Sequence, residues 1–291
     1  MRPGIGLAAL AGVLVVGAFA CGPTSGAPEG DAAVRADAAQ GDVEPQRDGH
    51  AQQDATPPVL EDVDVVITAD NAFSFGYGDV TAIATFIQGT RAHLAGEIFN
   101  CPVGNGPEQY VVPGADAPTG AYLYIASWDD LAVTQGVLGQ FKRGDAVLYT
   151  GDPHFEVCAT GLDYSGNTTI PAGSGDADNG PTVEVINQQI AICNAGTGAA
   201  ATTSRGWVSR DAAVTTGAVG RLAVGEDNSD AGGTFPIACQ PAGGNPGIDA
   251  VATWMWYDPG DGLGDAFHSN GTNRFKAFLI FRLPADEIVI E

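Results

Sequence analysis

Apolar positions along the chain fall into three regimes. Residues 5–20 form one unbroken apolar run, residues 22–58 contain no aromatic residue, and from about residue 59 short apolar runs recur between turn residues. In the last regime the runs are rich in β-branched and aromatic side chains, several with a period of two. Val-Asp-Val-Val-Ile-Thr-Ala (63–69) and Ala-Tyr-Leu-Tyr-Ile-Ala-Ser-Trp (121–128) are the clearest. Residues 137–150 read as a hairpin turning at Gly144-Asp145, and 154–159, 221–225, 250–257 and 274–283 as further strands. Short strands separated by Gly, Asp, Asn and Pro predict an all-β fold, a sandwich or barrel. Two stretches, 81–88 and 183–194, are ambiguous and could be short helices; Ile186 and Ile190 lie four apart in a run with few breakers. The fold class expected is therefore a β-sandwich with one or two short helices.

The first regime opens with Arg2 and ends in small residues, the plan of a secretory signal peptide. Its 16 apolar residues (5–20) fall short of the roughly 20 a spanning helix needs. Gly17-Ala18-Phe19-Ala20-Cys21-Gly22 resembles the lipobox of bacterial lipoproteins, in which the cysteine becomes the lipidated first residue of the mature chain. Phe19 stands where that family usually has a smaller residue, and Ala18 where leucine is commonest. The resemblance implies lipidation at Cys21 and anchoring in a bilayer by several acyl chains, each buried CH₂ contributing ~0.8 kcal/mol. Gly22, in place of the aspartate associated with inner-membrane retention, implies the outer membrane or cell surface. Ordinary cleavage near Ala20, with Cys21 incidental, is the alternative.

Residues 22–58 bury too little apolar surface to offset ordering, so they read as a disordered acidic linker. As a flexible coil they would reach roughly 35 Å. No second linker follows. The expected organisation is a signal peptide over 1–20, a lipid-anchored linker over 21–58 and a single β-sandwich domain over 59–291.

Charge and cysteines sharpen the address. The formal net charge is −23, with 35 acidic against 12 basic residues. Such acidity excludes nucleic acid and anionic membrane surfaces as partners and suits divalent cations. Apart from Cys21, four cysteines remain, an even number that reads in an exported chain as two disulfides. Cys158 with Cys193 and Cys101 with Cys239 is the favoured pairing, because the first closes a moderate loop. None of the four has the close spacing of zinc ligands.

Ile67-Thr68-Ala69-Asp70-Asn71-Ala72-Phe73 resembles the opening strand of galactose-binding-like jelly-roll modules. In those modules an exposed turn follows, then an apolar strand (here 122–127), a Gly-rich hairpin (136–149) and a closing element (150–155). The resemblance covers residues 60–160 and departs from the family in a long insert between Gly78 and Pro118. It implies a jelly-roll-like sandwich, a fold that hosts lectins, enzyme accessory modules and adhesion domains alike, and no binding residue carries over from it.

Trp254-Met255-Trp256-Tyr257-Asp258 is the best candidate for chemistry. On a strand Trp254 and Trp256 point the same way. They form either a sugar-stacking platform with Tyr257 beside it or part of the core. Asp258, Asp261 and Asp265 follow on a Gly-rich loop and could converge on Ca²⁺, which takes six to eight oxygens. The alternative is a solvated turn, and the same two readings apply to the acidic turns at 226–230 and 176–179. Catalytic motifs are missing: no HExxH pair, no G-x-S-x-G elbow and no phosphate-cradling loop occurs. Glu97, Glu108, Asp129 and Asp130 are the candidates for a glycosidase carboxylate pair. Asp129-Asp130 reads more simply as a strand-ending turn, and His154 as a strand-edge residue.

The expected function is a surface-tethered, non-enzymatic binding lipoprotein with a glycan ligand, stabilised by Ca²⁺. The alternatives are a structural or adhesive envelope protein that binds other proteins, and a secreted polysaccharide hydrolase.

Overall fold

The architecture was read from a computed structural model, which describes residues 60–89, 91–100, 107–129, 133–165, 169–198, 203–229, 233–235, 247–262, 264–268 and 277–289. Two antiparallel sheets face each other. The first contains β1 (Val63–Asp70), β4 (Glu108–Val112), β6 (Gly136–Arg143), β7 (Ala146–Tyr149), β11 (Arg221–Asp227) and β12 (Thr253–Asp258). Its order is β11-β12-β6-β1-β4, with β7 also paired to β6. The second contains β2 (Ala72–Asp79), β3 (Ile83–Ile87), β5 (Ala121–Trp128), β8 (Glu156–Asp163) and β13 (Ala277–Pro284), in the order β3-β2-β5-β13-β8. A short ribbon, β9 (Gly175–Asp176) with β10 (Gly180–Pro181), two α-helices, α1 (Gly96–Phe99) and α2 (Val183–Ala195), and two single 3-10 turns, Gly114–Asp116 and Ala285–Glu287, complete the regular elements among the described residues. The chain is an all-β sandwich with few helices, and Thr56–Glu291 forms one compact unit.

Alternation within the strands builds the layers. In β5, Leu123 and Ile125 join the core between the sheets, whereas Tyr124, Ala126 and Trp128 join a second cluster on the outer face. That outer cluster contains Ile186, Ile190 and Cys193, so α2 roofs the second sheet. The sheet is thus covered on both faces, which is why its central strands are almost wholly buried instead of half-polar.

Ile186, Ile190 and Cys193 recur at the four-then-three spacing of one helix face, and the 183–194 expectation holds. Gly196 ends the helix in the left-handed region (φ 66°), and its N–H bonds to the carbonyls of Cys193 and Ile192. Residues 81–88 are different: they form β3, not a helix. Asp79 Oδ1 accepts the Thr81 and Ala82 N–H groups and turns the chain, and the β-branched run then pairs with β2. Asn187 of α2 clasps the strand, accepting the Ile83 N–H (2.8 Å) and donating to the Ile83 carbonyl (3.1 Å).

The hairpin at Gly144-Asp145 forms as expected between β6 and β7, with Gly144 at φ 58°. Where the jelly-roll resemblance placed an exposed turn after Phe73, the chain passes at Asn71 from the first sheet directly into β2 of the second. Cys158 and Cys193 form a disulfide (Cα–Cα 6.2 Å) that ties β8 to α2. Cys101 and Cys239 lie outside the described residues, as do the signal peptide, Cys21 and the whole linker.

Arg282 on β13 sits beneath the α2 layer with its side chain 7% exposed. Its Nε and Nη2 each lie 2.6 Å from Glu156 Oε2, and its Nη1 donates to Asn194 Oδ1 (3.1 Å). The guanidinium stacks 3.9 Å from the Trp207 ring centroid, and Trp207 Nε1 donates to the same Asn194 oxygen. This cluster and the disulfide fasten the C-terminal half of α2.

Candidate functional site

Trp254, Trp256 and Tyr257 do not form a platform. Both indoles are fully buried, and Tyr257 is 1% exposed. The core reading is the one the structure takes, for a topological reason: β12 lies inside its sheet, flanked by β11 and β6, with the opposite sheet on one side. Trp254 stacks on Phe235 (centroids 4.4 Å apart) and covers Gly136, where a Cβ would sit 2.7 Å from its ring. Tyr257, on the other face, donates to the Val219 carbonyl (3.0 Å), and burial pushes its phenol up to about 12.

The three-carboxylate calcium site is likewise corrected. Among the described residues no group of three or more His, Cys, Asp or Glu side chains is placed to hold a metal ion. Asp258 is directly opposite Arg221 in the β11–β12 register, and Arg221 Nε and Nη2 both approach its Oδ2 at 3.0 Å. A guanidinium thus occupies the carboxylate that a metal would need. Asp265 accepts the Phe267 N–H and holds His268 Nδ1 at 2.9 Å, so it serves its own turn. Asp176 is also a turn former: its Oδ1 accepts the Asp178 and Asn179 N–H groups, and the Asn179 side chain helps hold the carboxyl below its usual range. Asp227 does the same for Ser229.

The segment nevertheless borders a cleft. Asp258 and Asp265 line an open cavity of about 410 Å³ with Arg210, Arg221, Val224 and Phe267. β11 is an edge strand, so its outer side is bare of a further strand, and the 209–211 segment folds back over it through the Leu222 N–H to the Ser209 carbonyl (3.1 Å). That fold-back brings Arg210 to the rim, where Nη1 is held by the Gly151 carbonyl (3.0 Å). A second cavity of about 410 Å³ adjoins the first and shares Arg210 and Val224 with it. Its walls are Tyr149, Pro153, Val251 and Thr253. Gly151 makes this approach possible: at φ 88°, an added Cβ would sit 1.7 Å from Thr253 Oγ1.

This groove mixes planar polar groups with apolar ones. Arg221 is two-thirds exposed (66%), so its pairing with Asp258 contributes little stability and mainly fixes the orientation of both groups. Tyr149 is half-buried, with its phenol raised by partial burial. The sequence reading missed Tyr149, Arg210 and Arg221. Arginines are scarce in so acidic a chain, which is a signal, but residues 210 and 221 become neighbours only through the fold-back.

The remaining candidates lie elsewhere. Glu97 Oε2 accepts the N–H groups of His93 and Leu94, Glu108 accepts the Tyr110 hydroxyl, and Asp129 is buried just past the end of β5. Asp130 lies outside the described residues. His154 is at the edge of the second sheet between Asp152 (2.7 Å) and Glu287 (3.2 Å). Glu97, Glu108 and Asp129 do not line the groove, whereas Asp152 stands on the wall of its second half. A third cavity, about 520 Å³, lies between the end of β8 and α2, lined by Leu162, Tyr164, Ile170 and Gln188. The chain matches no protein-family model, no curated protein and no solved structure.

Proposed function

We propose that the protein is an exported, lipid-anchored, non-enzymatic binding protein whose β-sandwich holds a carbohydrate in the groove along β11 and β12. One observation carries the ligand class: an open groove in which oriented planar polar groups (Arg221, Asp258, Arg210) sit beside an exposed apolar one (Val224) and a half-buried aromatic one (Tyr149). Sugars present both kinds of surface, hydroxyls around the ring edge and C–H groups on its faces. Guanidinium and carboxylate groups match hydroxyl pairs as donors and acceptors. A tyrosine ring offers an apolar face with a polar tip.

The address rests on other features. The apolar stretch ending at Cys21 supports export and lipidation, and the Pro- and acid-rich linker supports a domain held off a bilayer. A buried Cys158–Cys193 disulfide agrees with an oxidising compartment. Among the described residues no helix is long and apolar enough to cross a membrane.

Two measurements test this reading. Mass spectrometry of the N-terminal peptide from native membranes should find acyl chains on Cys21; an unmodified peptide beginning at Cys21 rejects lipidation. A glycan array probed with the Thr56–Glu291 unit should show binding that Tyr149→Ala and Asp258→Asn each reduce. Binding left intact by both substitutions would remove the groove from the site.

A further inference from the structure

Three features of the groove, its length, its division and its charge, together restrict the ligand more than carbohydrate binding alone does. The first cavity is bounded by the Arg221–Asp258 pair, and the second by Thr253. On the β12 side these two residues are on one strand, five apart, so their backbones are separated by ~17 Å at ~3.3 Å per residue, and because that separation is odd their side chains leave opposite faces, with the groove passing round the open edge of β11. A single sugar ring spans only a fraction of that. The halves are continuous, since Arg210 and Val224 line both. They also differ in character: the Asp258 end is polar, and the Thr253 end is walled by Tyr149, Pro153 and Val251.

Charge narrows the class further. Two guanidinium groups, Arg210 and Arg221, stand among four carboxylates, Asp152, Asp211, Asp258 and Asp265, on a chain of net charge −23. Arg221 already has two of its nitrogens against Asp258, and Arg210 has Asp211 at 3.7 Å. An anionic ligand would bring its charge against this excess of carboxylates, and like-charge juxtaposition is strongly unfavourable. A polyol meets no such penalty. The Arg210 and Arg221 guanidinium groups, with side chains 44% and 66% exposed, carry N–H donors that suit hydroxyl oxygens.

Resting on the carbohydrate reading, we propose that the ligand is an uncharged glycan chain of several sugar units, passing round the open β11 edge across both halves of the groove. Arg210 divides the halves, and Tyr149 stacks on a unit in the apolar half. A chain engages both halves at once, whereas a monosaccharide or disaccharide fills one.

The experiment uses the full chain in detergent, titrated with neutral gluco-, manno- and galacto-oligosaccharides from monosaccharide to long oligomers, and with uronic-acid and sulfated oligomers of matched length. For the neutral series that binds, affinity should rise about tenfold or more from disaccharide to long oligomer and then level off. Tyr149→Ala should weaken the long oligomer about three- to tenfold. Val251→Arg, at a position 61% exposed and so safe for folding, should block the apolar half and bring long-oligomer affinity down to that of the disaccharide. Equal affinity for monosaccharide and long oligomer would overturn the extended chain while leaving carbohydrate binding in place. Preference for the uronic or sulfated series would overturn the uncharged ligand. Binding of no glycan in any series would overturn both this proposal and the reading beneath it.

Discussion

Replacing Arg282 by methionine tests how the α2 layer is held to the sandwich. Arg282 and Glu156 are opposite one another in the β13–β8 register, and their side chains are only 7% and 18% exposed. Methionine keeps much of the apolar stem but removes both 2.6 Å approaches to Glu156, the bond to Asn194 and the stacking on Trp207. The dominant loss is the partner of a largely buried carboxylate, for which about 3–5 kcal/mol is the measured scale. Against a total stability of about 5–15 kcal/mol, that is a large fraction. At about 2–4 °C per kcal/mol for a domain of this size, the midpoint should fall by about 6–20 °C. Urea unfolding followed by tryptophan fluorescence gives the measurement, and Trp207 against the guanidinium makes it sensitive to this cluster. Arg282→Met with Glu156→Gln should recover at least about 1 kcal/mol relative to the sum of the single variants, because the orphaned charge is then gone. If Arg282→Met costs under about 1 kcal/mol, or the two substitutions simply add, Glu156 is solvated well enough without Arg282 and the cluster does not fasten α2.

Other expectations follow from the same contacts. Cys158→Ser with Cys193→Ser opens a loop of sequence separation 35 and should lower stability by about 4 kcal/mol; a loss under about 1 kcal/mol in denaturant titration would mean that packing alone holds α2. Gly151→Ala should destabilise the domain and weaken glycan binding together, since the Thr253 wall must move; unchanged melting and binding would contradict the close approach. The phenols of Tyr110, Tyr124 and Tyr257 are all raised by burial, Tyr257 to about 12. Unfolded tyrosines release their protons near pH 10, so above that pH the unfolded chain binds fewer protons than the folded one and stability declines. Between about pH 10 and 12 each such group should cost up to about 1.4 kcal/mol per pH unit; stability that stays flat through this window, with phenolate absorbance appearing at pH 10 in the native protein, would show the rings to be accessible.

The fold was legible wherever alternation was regular. β1, β5 and the β6–β7 hairpin follow from β-branched and aromatic residues at period two, and α2 follows from Ile186, Ile190 and Cys193 on one face. β3 was misread because 81–88 lacks breakers, and its strand form depends on partners far away in sequence: Phe75 to Gly78 in β2 and Asn187 in α2. β2 is missing from the sequence reading, because Gly76 and Gly78 interrupt its aromatic pattern, yet those glycines are what let β3 approach. Local propensity was overruled by tertiary pairing in one case and disguised by close packing in the other.

The site was legible in part for a related reason. The 254–265 segment does border the groove, through Asp258 and Asp265, but its most conspicuous residues face inward. Exposure of an aromatic depends on whether its strand is central or at the edge, and sheet order is not written in a strand's own sequence. β12 is central, so Trp254 and Trp256 build the core; β11 is at the edge, so its unremarkable Arg221-Leu222-Ala223-Val224 run floors the cleft. The functional assignment follows the topology. The tryptophans, on the same face of β12 as Asp258, anchor the ladder in the core, Arg221 and Asp258 hold each other in place at one end, and the strand pairing that joins Val224 to Met255 carries that rigidity to the half walled by Tyr149. A groove built on such a ladder can present donors and a ring face at fixed spacing to an extended ligand, which mobile loops alone would not do.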